Sequence, residues 1–360
     1  MARLLANSFL QHQFGELLHQ LEPRDSAYQQ FKALIAIIHR QLADSNFKET
    51  RFPRKLTDIH EPGFMDRLYQ LGAMRAADTV FSLKQIQKMF GLLADGVLST
   101  SVIDAVNVPL KTRQEQLRQA INCYRWIQCA QQSAPSVIVN IPSNSLSVYF
   151  KDSCLLSSRV IVGKPSTPTP TLCSRIQAIV LYPYWYVPHK IAVRELLPRI
   201  KANISYLEDN QLQILSASGR IISPARINWH EMNAANFPYT LRQNIGCDNS
   251  MGVIKLDFES PYGVYLHDTP QKGLFLLKQR FFSHGCVRVE KADTLARLLS
   301  SEQRIVARLL DAGPAVTQKP ITIPLDTRPW IYIFYNIVWP DEQGLVRFFS
   351  DSYHHYPLNN

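Results

Sequence analysis

Cys286 sits in the run Phe282-Ser283-His284-Gly285-Cys286-Val287-Arg288, two positions after a histidine. A second histidine, His267, lies nineteen positions before that cysteine in Tyr265-Leu266-His267-Asp268-Thr269-Pro270. A cysteine and a histidine, each in its own local signature, are the residue types that acyl transfer through a thioester requires. The thiol needs a base, and the tetrahedral intermediate needs backbone N–H donors. Gly285 lets the backbone approach a reacting carbonyl with no Cβ in the way, so the N–H groups of Gly285 and Cys286 are the candidate oxyanion donors. His267 is the preferred base. It ends a predicted strand and can reach the thiol from a neighbouring one, whereas two positions on a turning backbone do not aim His284 at Cys286. The second ring nitrogen of His267 then needs an acceptor, a nearby backbone carbonyl. On residue types alone three readings stand: nucleophilic catalysis, a metal site built from His267, His284 and Cys286, and a cysteine that is simply core.

The elements that must position these groups change character along the chain. Apolar residues at helical spacing run from Leu10 to Leu21, and again through Phe31, Leu34, Ile35 and Ile38. Short helices follow over 64–107, with Ser99-Thr100-Ser101 placed to cap one that carries Val102, Ile103 and Val106. Residues 110–130 read as one longer helix. From Pro135 the pattern is strand-like: Val137, Val139 and Ile141 alternate, then Leu146, Val148 and Phe150, then Val160 to Gly163. Residues 164–175, rich in Pro, Thr and Ser, read as an exposed loop. A short helix from Ile191 to Leu197 is expected to end at Pro198. Strand character returns at Val253–Leu256 and Val264–His267, helices at 295–310, and a strand followed by a hairpin at the end, with Ile331–Phe334 and Val346–Phe348 around the turn Asp341-Glu342-Gln343-Gly344. Helices followed by strands predict an α+β fold.

The chain of 360 residues is 46% hydrophobic and 19% charged, which predicts two or three packed units and excludes a disordered or coiled-coil chain. Its net charge of +10 favours anionic partners, whether nucleic acid, anionic lipid or an acidic wall polymer, without choosing among them. Of the six cysteines, the five other than Cys286 (Cys123, Cys129, Cys154, Cys173 and Cys247) are expected to be buried as small apolar residues. No apolar run is long enough to span a membrane. Met1 to Asn7 resembles a signal peptide only briefly, so either the protein is cytoplasmic or the chain starts downstream of an export signal.

The pair His267 and Ser283-His284-Gly285-Cys286-Val287-Arg288, with fifteen residues between His267 and Ser283, resembles the signature of the L,D-transpeptidases, the YkuD-type cell-wall enzymes. Tyr265-Leu266-His267-Asp268-Thr269-Pro270 resembles the large YcbB-like branch. So do Tyr124-Arg125-Trp126, Val162-Gly163-Lys164-Pro165, Pro183-Tyr184-Trp185-Tyr186-Val187-Pro188 and Phe237-Pro238-Tyr239-Thr240-Leu241-Arg242-Gln243. The resemblance implies a helical scaffold over 1–62 that begins partway in, a peptidoglycan-binding-like helical module over 63–108 and a linker helix over 109–134. It implies a mostly antiparallel β catalytic domain, a YkuD-like sandwich, over 135–310, with a capping insertion at about 186–245, and C-terminal strands over 311–360. The module lacks the family's glycine-proline, having Ser99-Thr100, and the closing strands are altered at Asn336 and Pro340.

The same resemblance implies the activity: Cys286 attacks the third residue of a peptidoglycan stem tetrapeptide, D-alanine leaves, and the thioester passes to the amine of another stem, a 3→3 cross-link. By position, Cys286 is the nucleophile and His267 the base. Tyr265 lines the pocket, and His284 and Gly285 shape the turn. Arg288 either holds a substrate carboxylate or makes a structural ion pair, Trp185 and Tyr186 touch substrate, and Ser283 and Asp268 are structural. No cofactor or metal is expected. The partners implied are stem peptides or a lipoprotein acceptor rather than nucleic acid, and the location the periplasm or cell envelope. A carboxypeptidase, with water as acceptor, and a non-catalytic wall-binding scaffold are the alternatives.

Overall fold

The computed structural model describes residues 22–73, 78–130, 135–151, 153–246, 248–315, 318–341 and 343–356. The helix expected from Leu10 to Leu21, the signal-like start, Cys247 and the side chain of Cys129 lie outside the described residues. Helices span Ser26–Ala43, Phe64–Gln70, Thr79–Met89, Thr100–Val106 and Leu110–Ala130. Three of them start where a short polar side chain accepts a first-turn N–H: Asp25 from Tyr28, Asp78 from Val80, and Ser99 from Val102 as expected. Helices on both sides of residues 62 and 108 share one apolar cluster, with Phe31, Leu68, Ile86, Ile103 and Leu117 at its centre.

The β domain begins with β1 (Ser136–Asn140), β2 (Ser145–Phe150), β3 (Ser153–Gly163) and β4 (Leu172–Leu181). An insertion then carries β5 (Trp185–Tyr186), β6 (Leu212–Leu215), β7 (Ile221–Ile222) and β8 (Thr240–Gln243). The chain returns as β9 (Ile254–Phe258), β10 (Leu266–His267), β11 (Phe281–Ser283) and β12 (Val287–Val289). It closes with β13 (Ile321–Pro324), β14 (Trp330–Phe334), β15 (Val338–Pro340) and β16 (Val346–Phe348). Pairing is mostly antiparallel, with parallel pairs at β1–β14, β10–β12 and β11–β3. β3 pairs with β2 over Ser153–Arg159, with β12 at Val160 and Ile161 and with β11 at Val162 and Gly163, while β4 pairs first with β14 and then with β9. Both strands therefore pass from one layer to the other, and the path β2-β1-β14-β4-β9-β10-β12-β3 closes on β2. This is a helical region followed by a β-rich domain, the expected α+β class.

Alternation explains how the two units dock. In β1, Val137 and Val139 join the sheet core while Ile138 joins the helical cluster; in β14, Ile331 and Ile333 face the sheet core and Tyr332 the helices. β13 and β14, beyond residue 310, complete the sheet on β4 and β1. The insertion has its own sheet, ordered β5-β8-β6-β7, and its own apolar cluster, with Leu196, Ile200, Ile214 and Leu241.

Four expectations are corrected. The closing hairpin pairs β16 with β15, not with Ile331–Phe334, and its Val338, Trp339, Val346 and Phe348 pack into the helical cluster. Pro198 does not end the helix: His189–Ile191 runs through a π segment, Ala192–Leu196, into Leu197–Ala202. The wider π turn accommodates a ring that lacks an N–H and would press on the preceding turn. Within 164–175, Thr169 is only 3% exposed, and β4 starts at Leu172. Cys154 and Cys173 are exposed and Cys123 half-buried rather than core, because the two strand cysteines fall on outward positions of β3 and β4.

Candidate active site

Strand register brings the chemical residues to one face. Leu266 pairs with Val287 on one side and Leu256 on the other; His267 pairs with Arg288 and Lys255. Leu256, Leu266, Val287 and Val289 point into the sheet core. By the two-residue period, Lys255 and Asp257, Tyr265 and His267, and Cys286 and Arg288 lie on the opposite face. The Val287 N–H donates to Tyr265 O at 3.1 Å, fixing Tyr265 opposite Cys286. The backbone and hydroxyl of Tyr265 lie beside the thiol and favour its ionised form. The Tyr265 ring meets His267 edge-on with centroids 5.8 Å apart, and the Lys255 ammonium stands 4.6 Å from the Tyr265 ring. Asp257 holds that ammonium at 3.0 Å.

The turn before β12 needs a glycine, since Gly285 has φ +118°. Its N–H donates to Ser283 Oγ at 3.1 Å, and Ser283 Oγ donates to Cys286 O. Ser283 is therefore a turn hydroxyl, as expected. The Gly285 N–H, one of the two expected oxyanion donors, is already engaged. The Cys286 N–H has no acceptor among the described residues and remains free to hold an oxyanion.

Sequence reading missed what lies behind this turn. Thr169 Oγ1 accepts from Gly163 N–H at 2.8 Å and donates to Gly285 O at 2.8 Å. The Tyr353 hydroxyl donates to Gly163 O and accepts from Thr169 N–H at 3.2 Å. A Cβ on Gly163 would meet Thr167 O at 2.2 Å, so glycine is required there by close backbone approach. Replacing Thr169 by valine leaves two buried main-chain groups unpaired, a cost of about 2 kcal/mol or more. We expect Thr169→Val to slow acylation of Cys286 roughly tenfold by misplacing the turn. Thr169→Ser, which keeps the hydroxyl, should restore it; the rate of adduct formation with a carbapenem, followed by intact mass, checks both.

His267 is 5% exposed, and its Nδ1 lies 2.6 Å from Asp268 O. A carbonyl only accepts, so Nδ1 carries the proton and Nε2 is left as the base. Burial first, and then the Arg288 guanidinium, push His267 down to about 3, against the opposing pull of the Asp268 and Met251 carbonyls. Burial also pushes the Cys286 thiol up, and the neighbouring Tyr265, Arg288 and Lys255 only partly offset it. The resting site therefore holds a neutral thiol and a neutral imidazole, and the thiolate forms only as the proton moves.

Arg288 donates to Gln271 Oε1 at 2.9 Å, and its buried Nε has no partner among the described residues. None of the ion pairs among those residues involves it. Asp268 is structural: it accepts from Val253 N–H at 3.1 Å and pairs with Lys272. His284 turns away to Glu195 Oε1, 2.7 Å from its Nε2. Trp185 packs on the apolar cluster of the insertion and Tyr186 is 54% exposed; neither makes a hydrogen bond or ring contact with the sheet-face residues. Among the described residues no group of three His, Cys, Asp or Glu is placed to hold a metal ion. No described helix is long and apolar enough to cross a membrane.

The sequence profile of the YkuD L,D-transpeptidase catalytic domain matches residues 134–316. A curated Haemophilus influenzae protein, described provisionally as an L,D-transpeptidase, is 36% identical over 210 residues. That match covers 58% of this chain and 42% of the relative, less than half its length. Two solved structures are similar at a low level. An L,D-transpeptidase from Mycobacterium smegmatis is 14% identical with a TM-score of 0.25, the match covering 56% of this chain and 59% of that one. L,D-transpeptidase 3 from Mycobacterium tuberculosis is 11% identical with a TM-score of 0.28, over 56% and 62%. The profile match takes in about half of the chain, including the thiol and the whole face of residues around it, and the chain belongs to the YkuD family of L,D-transpeptidase catalytic domains.

Proposed function

We propose that this protein is a cysteine-dependent L,D-transpeptidase that forms 3→3 cross-links between peptidoglycan stems in the cell envelope. The observation that carries this reading is the shared sheet face of Cys286, Tyr265, His267 and Arg288, with Nδ1 of His267 tied to Asp268 O. His267 Nε2 takes the thiol proton as sulfur attacks the carbonyl of the third stem residue. The same proton passes to the amine of the departing D-alanine, leaving a Cys286 thioester. The Cys286 N–H holds the oxyanion, and Gly285 serves the turn through its φ. Arg288, with no acidic partner of its own, binds a substrate carboxylate. That carboxylate offsets the charge that depresses His267, so the base strengthens when substrate is bound. An amine of a second stem then displaces sulfur. Trp185 and Tyr186 contact substrate only if the insertion moves against the sheet face.

A carbapenem carries a strained acyl group that tests the nucleophile directly. The expected result is a single covalent adduct on Cys286 by intact mass and peptide mapping. An unmodified protein, or an adduct on Cys154 or Cys173 instead, contradicts the assignment.

A further inference from the structure

The insertion and the turn carrying Cys286 meet at the contact between Glu195 and His284, 2.7 Å apart. Glu195 comes from the π segment Ala192–Leu196, and His284 lies two residues before the thiol. The two side chains are 42% and 33% exposed, open to a ligand entering between insertion and sheet. Neighbouring carboxylates already have cationic partners: Asp257 has Lys255, Asp268 has Lys272 and Glu290 has Arg159. Among the described residues Glu195 is paired only with an imidazole. On the sheet face beside the thiol Asp257 already offsets Lys255, which leaves the Arg288 guanidinium, without an ion pair among the described residues, to repel an arriving ammonium group. An amine acceptor is an ammonium ion at neutral pH, so it needs a counter-charge near Cys286 that no neighbouring cation already neutralises.

We propose that Glu195, with His284, forms the subsite that receives the primary ammonium group of the acceptor and directs it to the Cys286 thioester. This rests on the reading of the protein as a thioester-forming acyltransferase. The acceptor enters as R–NH3+ and gives one proton to the Glu195–His284 pair, which passes it to water. The neutral amine attacks the thioester carbonyl. As the C–N bond forms and the C–S bond breaks, the second proton passes through His267 to the sulfur of Cys286. Nothing is oxidised or reduced.

Water competes for the same thioester and carries no charge for Glu195 to recognise, so the ratio of dimer to tripeptide reports the subsite. The protein is incubated with a purified tetrapeptide muropeptide, and both products are quantified by mass. Glu195→Gln is expected to lower the ratio about fivefold, the range of a partly exposed charge pair; Glu195→Lys should lower it further. An unchanged ratio in both variants overturns the proposal, including the case where both products fall together because the contact is only a structural latch. A wild-type protein that yields tripeptide without dimer also overturns it. A wild-type protein that yields neither product overturns instead the enzymatic reading on which it rests.

Discussion

Cys286→Ala is expected to abolish both products from a tetrapeptide muropeptide, a loss of at least about 10⁴-fold, as when the nucleophile of an acyl-enzyme pathway is removed. The size of the effect follows from the site. Arg288, Lys255 and the free Cys286 N–H can bind and polarise a stem peptide, but none of them offers a lone pair to its carbonyl. The variant should fold normally, because the turn is held by Gly285, Ser283 and Thr169 rather than by the thiol. Its thermal midpoint, read beside the product assay, separates loss of chemistry from loss of structure. Retained cross-linking in a folded variant would place the nucleophile elsewhere.

His267→Gln should lower turnover by about 10²–10⁴-fold, the range of a positioned general base, and it has a second signature in stability. The folded ring titrates near 3 against an ordinary value of 6.5. Above pH 6.5 both folded and unfolded chains hold it neutral, and its contribution to stability is fully present. As pH falls from 6.5 toward 3, the unfolded chain binds a proton that the folded chain refuses, so stability drops by up to about 1.4 kcal/mol per pH unit. Glutamine does not titrate. The urea midpoint of His267→Gln should therefore fall less steeply over that window than the wild-type midpoint. Carboxylates titrate in both proteins and cancel in the comparison. Parallel slopes would show that His267 is not held neutral by burial.

The face that carries the chemistry was readable because its information is local. Alternation in Ile254–Phe258 and Val264–His267 places apolar and polar residues on opposite sides, and the Ser283–Arg288 run names its own turn. What escaped depends on register and on contacts distant in sequence. Lys255 joins the site only because His267 pairs with it across β9 and β10. Thr169 reaches Gly285 across 116 residues and Tyr353 reaches Thr169 across 184, distances over which local composition carries no signal. Tyr353 lies outside the stretch that matches the family profile, yet it supports the turn that holds the thiol. The hairpin partner of β16 was misread for the same reason, since Val338–Pro340 is a three-residue strand hidden by its proline. Pro198 was misread because a π turn relieves the clash that normally stops a helix.

The mass of the product that the wild-type protein makes from a purified tetrapeptide muropeptide tests the central claim most directly. The account predicts a dimer weighing twice the substrate less one alanine, with free D-alanine released in equal amount and both lost in Cys286→Ala. Recovery of unchanged substrate, or of a dimer that still carries both alanines, would contradict it.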